Sequence, residues 1–188
     1  MKYVAFFRNV NLGQGRSPTR PQLEAAFATA SADDAHSFQT AGTVVFSAAD
    51  EPVAEAVVAR ARETLFELRG LREPAYLAPL VHLVELVAAD PFAGRDLSGV
   101  LETSATLMPR DALAQLTLPL ASAHGDLEVV RLTPYLALSL QRRTGAMPSS
   151  PTQFLETLLG VPATTRSLGT IQRLVNNHRT PAGGEGGL

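Results

Sequence analysis

Two short polar loops hold the residues best suited to chemistry. In the first, Arg8-Asn9-Val10-Asn11-Leu12-Gly13-Gln14-Gly15-Arg16, two guanidiniums and two asparagine amides stand beside glycines that let a ligand approach backbone N–H groups. In the second, Thr164-Thr165-Arg166 comes just before an amphipathic run made by Leu168, Ile171, Leu174 and Val175. One of the threonines reads as the N-cap of that helix. Arg166 then sets a cation at the positive end of the helix dipole, which costs about 0.3–1 kcal/mol. A bound anion shared with the helix N-terminus would offset that cost, and so would an internal carboxylate or an aliphatic stem packed on a sheet. Arg142 and Arg143, in the loop before the preceding helix, extend the basic set. The candidate ligand-binding residues are therefore Arg8, Asn9, Asn11, Gly13, Gly15, Arg16, Arg142, Arg143, Thr164, Thr165 and Arg166. The plain alternative is that asparagine and glycine close local turns while the arginines meet neighbouring acids.

Other chemistries find less support. Gly13-Gln14-Gly15 lies after a strand and before a helix, but Pro18 replaces the third glycine of a dinucleotide-binding turn, and the strands that follow form a hairpin instead of a parallel crossover. There is no GxxxxGK phosphate loop and no GxSxG nucleophile elbow. His36, His82, His124 and His178 fall on different elements with no metalloprotease spacing, so the sequence predicts no metal site and implies no cofactor. With no cysteine, disulfides, thiol nucleophiles and thiolate metal sites are excluded.

The elements that must position these loops follow from periodicity. Lys2–Phe7 reads as a buried strand, and Leu23, Ala26, Phe27 and Ala30 as one face of a helix with Thr19 as N-cap and Pro21 in its first turn. Ser37–Thr40 and Thr43–Ala48 form a hairpin about Ala41-Gly42. Asp50 caps a long helix that stops at Gly70, and Pro74–Leu77 is a short strand. Pro79 starts a further helix that ends at Asp90-Pro91, and Gly94–Gly99 reads as a linker or lid. Strands at Leu101–Leu107, Leu127–Leu132 and Tyr135–Gln141, with helices at Pro109–Leu116 and from Ser150 to Gly160, repeat the β-α-β-β-α order. The expected fold class is α+β: two tandem ferredoxin-like units of βαββαβ type with antiparallel sheets, plus a C-terminal helix. Their bounds are 1–78 and 79–180, with a glycine-rich flexible tail at 181–188.

Charge is partitioned along the 188 residues. Residues 1–20 carry +4 and no acid, residues 131–180 carry +5, residues 21–130 carry −10 and Glu185 adds −1, for a net −2. Fifteen of sixteen basic residues are arginine, the side chain that grips phosphate or carboxylate bidentately. An apolar fraction of 45% excludes disorder over most of the length, and no apolar run approaches a membrane span. The expected location is the cytoplasm, with no membrane partner.

YVAFFRNVNLGQG near the start, AGTVVF at 41–46, DPF at 90–92 and ATTRSLGTIQRL at 163–174 together resemble the DUF1697 family, in the family's order and over the whole length. The resemblance implies a small bacterial α+β protein with two ferredoxin-like halves and no established biochemical activity. The chain departs from the family pattern at three places. The usual RGINVGG is here Arg8 to Gln14 with Asn9 and Gln14 in place of glycines, QSGN is Thr40-Ala41-Gly42-Thr43, and TTRN is Thr164-Thr165-Arg166-Ser167. These departures imply that a ligand shared by the family would be bound differently here or lost.

Three functional expectations follow. The first is a protein that binds a phosphate-bearing ligand, nucleotide or RNA, through arginine- and amide-rich loops from both chain ends. The second is an enzyme for a small carboxylate or phosphate metabolite held in a groove between the halves, with arginines positioning it and an acid from the middle segment moving a proton. The third is a protein-interaction module without a small ligand, docking through the acidic middle.

Overall fold

The structure is a computed structural model that describes residues 1–143 and 148–178. The expected tail at 181–188 and the centre of the loop after Arg143 lie outside the described residues. Among them are six helices and two antiparallel sheets. The first sheet is built from β1 (Lys2–Phe7), β2 (His36–Phe38), β3 (Thr43–Ser47) and β4 (Ala75–Pro79), in the order β2-β3-β1-β4. The second contains β5 (Val100–Leu107), β6 (Leu120–Ala121), β7 (Leu127–Leu132), β8 (Ala137–Arg142) and β9 (Thr164–Ser167), in the order β6-β7-β8-β5-β9.

Strand alternation sends β1 side chains to two different cores. Tyr3, Ala5 and Phe7 face α1 (Arg20–Thr29) and α2 (Glu51–Arg69), where Leu23, Phe27, Ala61 and Leu65 complete a buried cluster. Val4 and Phe6 face the other way, into a cluster shared by both sheets. It joins Val45 and Ala78 of the first sheet to Leu107, Leu138 and Leu140 of the second, with Leu83 of α3 (Leu80–Ala88) and Ile171 and Leu174 of α6 (Leu168–His178) between them. A third cluster lies on the far face of the second sheet, under α4 (Arg110–Leu113) and α5 (Pro151–Leu159). The segment after α3 is anchored to the shared cluster by Phe92, and its far end is held by Arg142, whose Nη atoms donate to the carbonyls of Asp96 and Ser98 at 2.9 and 3.0 Å.

Most helix ends follow their sequence signals. Thr19 makes a capping box with Gln22, Asp50 accepts from the Val53 amide, and Gly70 closes α2 in the left-handed region. Three expectations need correction. The helix predicted from Pro109 is the single turn α4, after which the chain tightens into i→i+3 turns at Gln115 and Leu116. Thr164-Thr165-Arg166 is a strand, β9, paired antiparallel with Leu107 to Ser104 of β5. The cap of α6 is Ser167, whose hydroxyl accepts from the Thr170 amide at 3.2 Å. No helix among the described residues is long and apolar enough to cross a membrane.

A buried carboxylate ties β6 and β7 to the start of α5. Asp126 accepts from the Ser122 hydroxyl at 2.6 Å and from both the amide and the hydroxyl of Ser149. The Ser122 hydrogen bond, followed by the Ser149 amide, holds its carboxyl down at about 2. A carboxyl depressed below its unfolded value of about 3.9 stabilises fully above that pH, and the contribution fades as pH falls toward 2. Thermal melts from pH 4 to pH 2 should therefore fall more steeply for the wild type than for Asp126→Asn, which has nothing there to titrate. Parallel slopes would contradict this assignment.

Candidate functional site

The C-terminal end of β1 is where the two basic loops meet. Arg8 leaves the strand with its amide on the Pro74 carbonyl, and its guanidinium joins two carboxylates: Glu73 at 2.8 Å and Glu156 of α5 at 2.9 Å. These bonds raise the Arg8 pKa, the Glu156 hydrogen bond most and the Glu73 hydrogen bond next. Burial pushes the Glu156 carboxyl up, but the Arg8 hydrogen bond and the Ala163 amide outweigh it and hold the group below its ordinary value. Asn9 takes a positive φ of 51°, a conformation asparagine tolerates, and donates to Glu73 at 3.1 Å.

On the other side of the same strand end sits Arg166, 9% exposed. Its Nη2 donates to the carbonyls of Phe7 and Ala41, its Nη1 to the Thr165 carbonyl and the Thr164 hydroxyl, and its Nε to the Thr43 hydroxyl. All five donors are therefore engaged, and every acceptor is neutral. No carboxylate among the described residues is its partner. Arg166 instead fastens β9 to the end of β1 and the turn before β3.

The remaining candidates separate. Asn11 closes its own loop, donating to Gln14 at 2.7 Å, and the Gly13 amide turns to the Pro18 carbonyl. Gly15 and Arg16 are exposed, and Arg69 grips the loop backbone through the Gly15 carbonyl at 3.2 Å. Thr165 lies in a hydroxyl chain with Thr106 and Thr152. Arg142 pairs with Val100 while Arg166 pairs with Ala105, so they are separated by about 17 Å along β5 at the usual rise per residue. Arg143 is exposed, with its amide on the Gly99 carbonyl. Of the two basic loops, Arg8 and Arg166 converge on one strand end, and both are occupied by internal partners.

A groove of about 370 Å³ opens beside this junction, between the edge strand β4, helix α2 and the segment Met108–Asp111 that leads into α4. The β1–β4 register and the Arg8–Pro74 bond leave Ala75 and Leu77 with their backbone groups turned outward, toward the groove. Tyr76 lines the groove and donates its hydroxyl to the Pro162 carbonyl, and burial lifts its pKa to about 12. Arg110 lies over the Tyr135 ring at 4.6 Å and is ion-paired with Glu51 and, at 3.8 Å, with Glu55. Half-buried Arg62 uses Nε on the Glu73 carbonyl at 3.2 Å, and its Nη atoms have no hydrogen bond among the described residues. The Asp111 carboxylate of α4 is likewise without one among the described residues. The groove thus places a half-satisfied guanidinium on α2 and a carboxylate on α4, with two tyrosines and main-chain groups nearby.

Sequence reasoning missed Arg62, Arg110, Asp111, Tyr76 and Tyr135 because four elements assemble them and no local spacing marks them. One weak signal existed: Arg62 directly follows Ala61 on the rim of the α2 apolar stripe, where an arginine is half-covered by its neighbours.

Comparison with known proteins places these features in context. The profile of the family described as "Protein of unknown function (DUF1697)" matches residues 1–134. No curated protein matches the chain. A solved structure of a conserved bacterial protein from Streptococcus pneumoniae is similar, with 16% identity and a TM-score of 0.63, over 93% of this chain and 97% of that one. At this identity the likeness is one of fold.

Proposed function

The chain belongs to the DUF1697 family, and we propose that it binds a small polar metabolite carrying a carboxylate or phosphate in the groove between β4, α2 and α4. The observation that carries this reading is Arg62, which lines the groove and whose Nη atoms have no hydrogen bond among the described residues. Guanidinium hydrogen bonds to carboxylate or phosphate are charge-assisted and bidentate, so such an edge selects an acidic oxygen pair. Asp111 offers an acceptor on the α4 side of the groove and suits a ligand that also carries an amine or hydroxyl. The volume lies near the lower end of the roughly 300–1,000 Å³ usual for small-ligand sites, which favours a metabolite over a nucleic-acid strand. Internal use of Arg8, Arg142 and Arg166 argues the same way, since RNA binding needs unpaired cations. Asp111 is the acid from the middle segment to replace in a search for turnover.

We also read each sheet as one ferredoxin-like unit, over 1–78 and 79–180. Support comes from strand order: without the two-residue β6, the second sheet runs β7-β8-β5-β9, the same succession as β2-β3-β1-β4. A cytoplasmic location belongs to the same reading, in keeping with a chain free of cysteine.

The test is a thermal-shift panel of amino acids, dicarboxylates and sugar phosphates, followed by calorimetric titration of the compounds that raise Tm. Arg62→Ala should weaken those compounds by about tenfold or more, the loss of a hydrogen bond to a charged group. Arg16→Ala should leave them unchanged. A panel with no stabilising compound, or binding indifferent to Arg62→Ala, would overturn the assignment.

A further inference from the structure

His36 and His178 are 142 residues apart in sequence and meet in the fold. His36 is on β2, the edge of the first sheet opposite β4, and His178 is in the last turn of α6. Their Nε2 atoms are 3.3 Å apart, with ring centroids at 4.9 Å and planes inclined by 51°. The Nδ1 of His36 lies 3.1 Å from the Asp34 carbonyl oxygen. A carbonyl only accepts, so Nδ1 carries the proton and Nε2 presents a lone pair toward His178. Such a backbone partner for the second ring nitrogen is the usual support of a metal-ligating histidine, since it fixes both tautomer and ring orientation.

The separation of the two nitrogens is informative. Zinc–imidazole bonds are about 2.0–2.1 Å long, so two imidazoles on one tetrahedral ion place their ligating nitrogens about 3.3–3.4 Å apart. The observed spacing of 3.3 Å matches that value. His36 is exposed and His178 half-buried, so an ion can enter from solvent. The carbonyl end of α6 adds a partial negative charge beside His178.

We propose that His36 and His178 form a site for a divalent cation of the imidazole-favouring class, Zn²⁺, Ni²⁺ or Cu²⁺, which would join β2 to α6. No group of three or more potential ligand side chains exists among the described residues, so two imidazoles would be the protein ligands and water would complete the shell. The site is independent of the groove, because it lies at the opposite edge of the first sheet. The absence of cysteine means that a titration with these ions is free of thiolate background.

The experiment is calorimetric titration of the untagged full chain with ZnSO₄, NiCl₂ and CuCl₂ in turn, beside His36→Ala, His178→Ala and the control His124→Ala. At least one ion should bind at one equivalent and raise Tm. Either pair substitution should weaken that binding by about tenfold or more and abolish the Tm rise, while His124→Ala leaves both unchanged. Both pair variants should melt like wild type without metal, since His36 is exposed and His178 terminal in its helix. Absence of binding by all three ions, or binding that survives both pair substitutions, would overturn the proposal.

Discussion

Arg166→Met is expected to destabilise the protein by about 3–5 kcal/mol, the effect of taking a buried donor away from several neutral acceptors at once. Burial lowers the guanidinium pKa to about 10, so the group is still a cation at neutral pH. It persists there because its five N–H groups meet five oxygens, three of them backbone carbonyls at Phe7, Ala41 and Thr165. Methionine fills similar space but satisfies none of them, and each buried acceptor left without a donor costs about 1–3 kcal/mol before relaxation. Because Phe7 and Ala41 belong to the first sheet and its turn while Arg166 belongs to β9, the loss falls on the joint between the two sheets. Arg166→Lys should recover less than half of the loss, since three donors on a point charge cannot span the same fork. Denaturant unfolding measures this directly. A loss below about 1 kcal/mol for the methionine variant, the size of a surface interaction, would show that the network is dispensable.

Gly42→Ala should rank second, at about 2–5 kcal/mol, from two separable causes. The residue sits at φ +62°, where a Cβ costs about 1–2 kcal/mol. The added carbon would also lie 2.6 Å from Val10 Cβ, 2.8 Å from Val10 Cγ1 and 3.0 Å from Phe7 Cβ, an overpacking that costs about 1–3 kcal/mol more. The neighbouring Ala41 carbonyl is an Arg166 acceptor and the Gly42 carbonyl takes the Phe7 amide at 2.8 Å, so displacement of this turn reaches the same joint. A double-mutant cycle separates the causes. Val10→Gly, which takes away both Val10 Cβ and Cγ1, should return part of the loss, leaving the backbone part and the Phe7 contact. Strict additivity of the two substitutions would rule out the contact with Val10 as a cause.

Most of the architecture could be read from pattern, and the exceptions have physical reasons. The β1 run, the apolar stripes of α1, α2, α5 and α6, and the caps of the first three of these helices were legible because each is a local relation between neighbours in sequence. Strand β9 was not. Its four residues are polar, Thr164 and Arg166 are buried by hydrogen bonding and not by apolar contact, and Thr-Thr before an amphipathic run imitates a cap. Strand β6 has two residues and exists only because Leu120 and Ala121 pair with Val129 and Glu128.

For the site, the charge excess at both chain ends leads to the expectation that Arg8, Asn11, Arg16, Arg142, Arg143 and Arg166 converge, and of these Arg8 and Arg166 meet at one strand end. Their occupation by Glu73, Glu156 and the carbonyls of Phe7 and Ala41 was not legible, since it depends on partners 65 to 159 residues away. The meeting of His36 and His178 was hidden for the same reason.

The apolar cluster that Val4, Phe6 and Val45 share with Leu107, Leu138 and Leu140 has a consequence for how the groove admits a guest. Sheets that share one close-packed interior resist moving independently, so an aperture bounded by both has little freedom to clamp down around what enters. On the reading proposed above, selection would operate by fit to a preset opening, in the manner of a gauge, with guests of the wrong girth turned away before any adjustment of the walls.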